Sequence, residues 1–179
     1  MRFLALPIST HPQYILRPLS ADDISPWANY LSLPSVYEHT SWNHPTPADL
    51  ELYLGNEVDL NPETRLRLAI AKRIDNLLAG TIGFHTVSPA NRSAELAYDL
   101  DPKFWRQGIA SSLGAELVRW AHAEVGLVRV QATVLESNTR SIAPLERLAF
   151  SREGLLRSYK QVRGRPGNFY MYAHVATAE

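Results

Sequence analysis

Apolar residues follow two different spacings along this chain. Within residues 65–73, and again within 128–134, apolar and polar residues alternate, which is typical of strands with one buried face. The stretch after Gly108 instead repeats apolar residues at helical intervals. Its stripe consists of Ile109, Leu113, Leu117, Trp120 and Ala121. The pattern therefore predicts a chain that combines strands with a strongly amphipathic helix.

Turn and capping signals divide the chain further. The predicted order is a strand, two helices, three strands, a helix, a strand, a helix and two strands. Strands are expected over residues 14–19, 65–73, 77–87, 93–100, 128–134, 150–159 and 168–175, and helices over 20–33, from 46, over 109–126 and from 137. Residues 34–47 are predicted as a loop and 163–167 as a turn. A strand–helix–strand unit inside an antiparallel pattern predicts an α/β fold, with a mixed (α+β) sheet flanked by helices.

Composition narrows the class of protein. At 179 residues, without a linker or an internal repeat, the chain is expected to form one domain over 1–179. Its 18 basic and 18 acidic residues balance, which removes the electrostatic argument for nucleic acid or an anionic membrane as partner. Without cysteine, disulfides and thiolate nucleophiles are excluded. No apolar run reaches the roughly 18 residues of a membrane span. We expect a cytoplasmic protein, monomeric or homodimeric, that needs no metal.

A glycine-containing turn precedes the amphipathic helix. Residues 101–111 end one strand and open the helix, with Gly108 directly before it. The first N–H groups of a helix have no intrahelical partner, and they lie at the positive end of the helix dipole. The turn is therefore a candidate phosphate-binding site.

The segments around this turn carry a family resemblance. Residues 94–102 (AELAYDLDP) are similar to the strand A-E-hydrophobic-G-Y-x-hydrophobic-x-P, and 104–110 (FWRQGIA) to the phosphate loop W-G-K/R-G-Y/I-A. Residues 138–150 resemble N-x-x-S followed by L-E-K/R-L-G-F, and 153–157 resemble E-G-x-x-R. In this order and spacing, the motifs resemble the GNAT superfamily of N-acetyltransferases. They are most similar to the Rim-type branch, which acetylates N-terminal amines of ribosomal proteins.

The resemblance implies a fold and a cofactor site. In the GNAT fold a mostly antiparallel central sheet contains two parallel strands that splay apart, and acetyl-CoA enters the wedge between them. By this likeness the strand through Tyr98 and Leu100 pairs with the pantetheine arm, and Asn138 bonds its amide. The pyrophosphate would lie on the turn formed by Arg106, Gln107, Gly108, Ile109, Ala110 and Ser111.

Two residues are candidates for the chemistry. Acyl transfer to an amine needs a base, and Glu95 is the first candidate, acting directly or through water. The resemblance assigns Ser141 to the coenzyme sulfur. On the residues alone, Glu95 is equally a solvent-facing carboxylate, Ser141 a locally satisfied helix residue and Asn138 a helix cap. His85 and His44 are alternative bases, because histidine titrates near neutrality.

The acceptor is expected to be a protein N-terminal amine or a small primary amine. Tyr37, Trp42 and His44 lie in the loop that covers the acceptor in the resembled family, where they line a pocket or pack as a satellite core. The leading hypothesis is direct transfer in a ternary complex, since no cysteine is available for a covalent intermediate. The alternative is a non-catalytic acyl-CoA-binding module.

Two departures from the family pattern motivate that alternative: Arg106 stands where the phosphate loop has its first glycine, and Ala149 replaces the glycine of L-G-F. In addition, Trp105 stands where the wider superfamily often has Gln or Arg, and Ala97 replaces a glycine of the pantetheine strand, which is a milder change. Arg106 keeps its backbone N–H and adds a cation, so phosphate binding depends on whether that position requires a positive φ.

Overall fold

The structure is a computed structural model that describes residues 5–42, 44–55 and 65–176. The strands are β1 (Tyr14–Pro18), β2 (Leu66–Lys72), β3 (Leu78–Ser88), β4 (Ser93–Leu100), β5 (Arg129–Leu135), β6 (Ser151–Val162) and β7 (Arg165–Val175). The helices are α1 (Ala21–Leu31), α2 (Pro34–Tyr37), α3 (Pro47–Glu51), α4 (Ile109–Ala123) and α5 (Thr139–Arg147), and a single 3₁₀ turn spans Pro102–Phe104.

The strands form one seven-stranded sheet in the order β1-β2-β3-β4-β5-β7-β6. Every neighbouring pair is antiparallel except β4 and β5. Those two pair only from Ser93 with Arg129 to Glu95 with Gln131, although both strands continue well beyond. The predicted mixed sheet with two diverging parallel strands is confirmed.

Helix α4 connects the two parallel strands and covers the sheet. The three residues Ile109, Leu113 and Leu117 are at most 1% exposed. They pack with Leu68 and Ile82 of the sheet in the main core. The predicted apolar stripe is thus the buried face of this helix.

A second, smaller core forms beneath α1 and α3. Trp27 and Leu50 are fully buried at its centre, and Trp42 and Tyr53 pack against it. Helix α3 begins at a capping box in which Thr46 N donates to Asp49 Oδ2 at 2.8 Å. This core holds in place the residues Leu31, Trp42 and Tyr53, which lie near the diverging strands.

Two local predictions were wrong. Residues 34–47 were expected to be a loop, but α2 begins at Pro34, because proline at the first helical position is preorganised for a helix. The turn predicted over 163–167 contains only Arg163 and Gly164, and β7 begins at Arg165. Both turn residues have positive φ, 50° and 75°, which matches the twist of the two flanking strands.

Candidate active site

Two cavities open where β4 and β5 diverge. The α4 cavity, about 620 Å³, is bordered by the turn before α4 and by α5. The β3 cavity, about 450 Å³, is bordered by residues of β2, β3, β4 and β5. Residues of both linings include His39, Thr40, Tyr98, Asp99, Asn138 and Ser141. The two cavities therefore meet at the wedge between the parallel strands.

Positive charge and free backbone donors line the α4 cavity. Arg106, Arg140 and Arg147 line it together with the first turn of α4. Arg140 stacks on Trp105, with Cζ 4.7 Å from the ring centroid, and donates to Ser35 O at 3.2 Å. Gly108 caps α4 with φ 75°, and the N–H groups of the first helical turn have no intrahelical acceptor. Positive charge and free N–H groups of this kind are the features that suit a binding site for an anion.

The backbone at Arg106 shows whether this position of the turn requires a positive φ. Arg106 has φ 63°, and Ala149, which also replaces a family glycine, has φ 59°. Both positions therefore require the left-handed conformation, and a residue with a Cβ adopts it at a cost of roughly 1–2 kcal/mol. The Arg106 side chain nevertheless lines the α4 cavity. The turn is strained rather than abolished.

Most of the predicted cofactor residues lie together. The α4 cavity is lined by Tyr98, Leu100, Arg106, Gly108, Ile109, Ala110, Ser111 and Asn138. Gln107 is absent from both linings, because its side chain folds back and Nε2 donates to Lys103 O at 3.0 Å.

Asn138 and Ser141 lie at the junction of the two cavities. Asn138 Oδ1 accepts from Ser141 N at 3.3 Å, so the side chain caps α5 as its sequence position allows. The Tyr98 hydroxyl donates to Ser141 O at 2.8 Å, which ties the first turn of α5 to β4. Burial raises the pKa of Tyr98 far above its usual range, so this donor stays protonated. The Ser141 hydroxyl itself has no hydrogen-bond partner among the described residues, which leaves it available in both cavities.

Glu95 is buried at the point where the parallel strands separate. It is 4% exposed, so the solvent-facing alternative is excluded. Its Oε1 accepts a hydrogen bond from the Thr133 hydroxyl. Lys160 Nζ lies 3.5 Å from the same oxygen and donates to Thr133 Oγ1 at 3.1 Å. The carboxylate is thus held by groups from β5 and β6 while it lines the β3 cavity.

His85 lies beside Glu95 on the neighbouring strand. Its Nε2 is 3.8 Å from Glu95 Oε1. Burial lowers the pKa of His85, the Glu95 carboxylate opposes that effect, and the positive charges of Arg67, Lys160 and Arg65 lower it further. The imidazole is therefore neutral at pH 7 and able to accept a proton. The pairing of β3 with β4 shifts register just after His85, at Thr86, whose φ is 52°, and such bulges reorient neighbouring side chains.

Sequence reasoning missed a buried network at the far end of β4. Asp99 accepts from the Tyr30 hydroxyl and pairs with the Arg67 guanidinium. Thr81 Oγ1 accepts from Arg67 Nε at 2.7 Å and donates to Asp99 Oδ2 at 2.9 Å. Burial, followed by the Asp99 charge, raises the pKa of Tyr30 well above its usual value. An arginine between apolar residues in a strand signals such a network, because it needs a buried partner.

The predicted acceptor residues separate into two groups. Trp42 lines the β3 cavity. Tyr37 and His44 line neither cavity and instead stack on each other at 4.3 Å between ring centroids. The Arg163 guanidinium fixes the intervening chain by donating to Tyr37 O and Glu38 O, each at 2.8 Å, and to Thr40 O at 3.1 Å.

The structure also bears on metal binding and on membrane insertion. Within residues 5–42, 44–55 and 65–176, no group of three or more histidine or acidic side chains is placed to hold a metal ion. Over the same ranges, no helix is long and apolar enough to span a membrane.

Comparison with known proteins identifies the family. The model of the GNAT acetyltransferase domain matches residues 13–151, so the chain belongs to the GNAT family. The chain is 31% identical over 161 residues to the uncharacterized N-acetyltransferase p20 of Bacillus licheniformis, which covers 88% of this chain and 90% of that protein. The protein is accordingly an acetyltransferase.

Solved structures share the fold. RimJ of Mycobacterium smegmatis, in complex with a CoA disulfide, has a TM-score of 0.75 at 23% identity, and the match covers 91% of this chain and 82% of that one. Spermidine N-acetyltransferase of Vibrio cholerae, in complex with CoA and spermine, has a TM-score of 0.78 at 18% identity, covering 92% and 96%. Both matches show that the chain shares its fold with these proteins.

Proposed function

We propose that this enzyme transfers the acetyl group of acetyl-CoA directly to a primary amine, either a protein N-terminal amine or a small amine, within a ternary complex. The observation that carries this proposal is the meeting of two cavities at the wedge between β4 and β5. One cavity suits a phosphorylated donor, and the other presents a buried carboxylate and a neutral imidazole to an acceptor.

The α4 cavity supports binding of the donor. Arg106, Arg140 and Arg147 supply positive charge, and Asp99 at the junction is the single carboxylate among the described residues of the lining. Guanidinium groups suit phosphate because they donate paired hydrogen bonds. Residues 98–100 of β4 lie beyond the part of the strand that pairs with β5, and they border the α4 cavity. Their backbone groups on that side therefore face the space where a pantetheine arm would pair.

The junction supports the chemistry. Acetyl-CoA supplies a thioester carbonyl, and the transfer requires a deprotonated amine and stabilisation of the departing sulfur. Glu95 accepts the amine proton, directly or through water, and Thr133 and Lys160 hold its carboxylate in place. The free Ser141 hydroxyl is the donor for the sulfur. A positioned base of this kind contributes about 10²–10⁴-fold to the rate.

The test is release of free thiol from acetyl-CoA over a panel of N-terminal peptides, polyamines and small amines, with product masses measured. We expect thiol release that depends on the acceptor. Double-reciprocal plots of initial rate against substrate concentration should intersect, since a covalent intermediate would give parallel lines. Binding of acetyl-CoA in calorimetry without turnover of any amine would overturn the proposal in favour of an acyl-CoA-binding module.

A further inference from the structure

Among the described residues that line the β3 cavity, positive charges outnumber negative ones. The charged side chains of this lining are Arg65, Arg67, Lys160, Glu95 and Asp99. Asp99 is paired with Arg67, and Glu95 with Lys160. Arg65 has no carboxylate within ion-pair distance among the described residues, so its charge is uncompensated inside a partly enclosed space.

We propose that the acceptor is an amine that carries a carboxylate near its amino group, and that Arg65 binds that carboxylate. The proposal rests on the acetyl transfer proposed above and adds the chemical class of the acceptor. It also excludes polyamines as preferred acceptors.

The position of Arg65 suits this role. Its Cζ lies 4.7 Å from the centroid of the Tyr53 ring. The Trp42 ring also stacks on Tyr53, with 6.0 Å between the two ring centroids. A guanidinium stacked on an aromatic face keeps its N–H groups free at the edge of its plane, where a carboxylate binds through two hydrogen bonds. Partial enclosure strengthens that attraction over its value in bulk water.

Arg65, His85 and Glu95 line the same cavity of about 450 Å³. The charge of Arg65 reaches His85 strongly enough to contribute to the lowered pKa of that imidazole, after burial and alongside Arg67 and Lys160. An amine at Glu95 and His85 therefore lies within electrostatic range of Arg65. The additional ammonium groups of a polyamine would face the charge of Arg65, which no described carboxylate balances, and like charges brought together in a binding site repel each other.

The experiment compares two amidated tripeptides, Asp-Ala-Phe-NH₂ and Asn-Ala-Phe-NH₂, with spermidine. Binding is measured by calorimetry in the presence of CoA, and acetylation by thiol release. We expect the aspartyl peptide to bind about tenfold more tightly than the asparaginyl peptide, a difference of about 1.4 kcal/mol, since its carboxylate can form charge-assisted hydrogen bonds with Arg65. Added salt should reduce this preference.

Three variants locate the effect. Arg65→Gln should remove the preference for the aspartyl peptide, and Arg65→Lys should keep part of it, because lysine retains the charge without the paired geometry. Arg119→Gln, which removes an exposed arginine of α4, should leave the preference intact. Circular dichroism of each variant reports whether it folds.

The outcomes separate the two proposals. Equal binding of the two peptides, no binding of either, or tighter binding of spermidine would overturn the inference about the acceptor. Thiol release without preference for the acidic peptide would leave acetyl transfer standing and this inference wrong. Selective binding of the acidic peptide without thiol release from any amine would support the preference for an acidic ligand and overturn the proposed acetyl transfer.

Discussion

At the scale of single residues, Glu95 and Ser141 occupy complementary positions at the wedge. Glu95 is buried and held by Thr133 and Lys160, whereas the Ser141 hydroxyl has no hydrogen-bond partner among the described residues. A buried and well-held carboxylate is preorganised for proton transfer, and an unpaired hydroxyl is available to a ligand. The two side chains can therefore be tested by removing one functional group at a time.

Replacing Glu95 with glutamine should lower kcat by about 10²–10⁴-fold, because the amide cannot accept the amine proton. The rate of the variant, measured against pH by thiol release, should rise with pH as unprotonated amine becomes abundant. Glu124→Gln changes an exposed carboxylate after α4 and serves as the control. If Glu95→Gln keeps its rate while His85→Gln loses it, His85 is the base.

Replacing Ser141 with alanine should lower kcat with little change in the free energy of unfolding. The reason is that its hydroxyl supports no described structural contact, whereas its backbone carbonyl still accepts from Tyr98. Urea unfolding and steady-state kinetics give the two readouts, with Ser112→Ala on the exposed side of α4 as the matched control. A large loss of stability with unchanged kcat would assign Ser141 a structural role.

At the scale of elements, the turns that begin α4 and end α5 store backbone strain. Arg106 and Ala149 both have positive φ, where the family pattern has glycine. Ala149 is exposed, so removing its Cβ sacrifices little packing. The strained residue Arg106 brings a cation to the α4 cavity, whereas the strained residue Ala149 does not line that cavity.

Replacing Ala149 with glycine should therefore raise the free energy of unfolding by about 1 kcal/mol, since glycine adopts the left-handed conformation without steric cost. Arg119→Gly, at an exposed position inside α4, should lower it by a similar amount, because glycine is unfavourable inside a helix. Urea unfolding of both variants measures the contrast. A destabilised Ala149→Gly protein would show that this turn is not strained.

At the scale of the whole molecule, a histidine pair connects α4 to β7. His122 Nε2 lies 3.0 Å from His174 Nδ1, and His122 Nδ1 is 2.6 Å from Leu127 O. Burial, followed by the charge of His122, lowers the pKa of His174. Neither side chain lines the two cavities, so this pair concerns stability.

Stability should fall as the pH drops below about 6.5, the unperturbed value for histidine. The unfolded chain then takes up a proton that folded His174, with its lowered pKa, does not, and linkage makes folding less favourable until the folded pKa is passed. His85, whose pKa is also lowered, adds to the same trend. Urea unfolding at pH 7.5 and 5.5 measures it, and His174→Gln should lose less stability on acidification than the parent protein. An equal loss in both would contradict the assignment.

The sequence predicted the elements with strong local signals. The stripe of α4, the alternation in β2 and β5, and the Asn138 cap were correct because each depends on neighbours along the chain. The error at α2 arose because Pro34 both ends a loop pattern and starts a helix well. The Arg67–Asp99 network was missed because its members come from separate strands.

The sequence alone determined the family, the fold class and the set of residues around the turn before α4, since these depend on periodicity and on short motifs. Only the tertiary structure decided that Glu95 is buried beside Lys160 and His85, that Arg106 lies in a left-handed turn, and that Tyr37 and His44 stack away from the cavities. Those properties arise from contacts between distant parts of the chain. The packing of one strand on another sets burial, charge balance and backbone conformation, and these are the quantities on which the chemistry of the wedge depends.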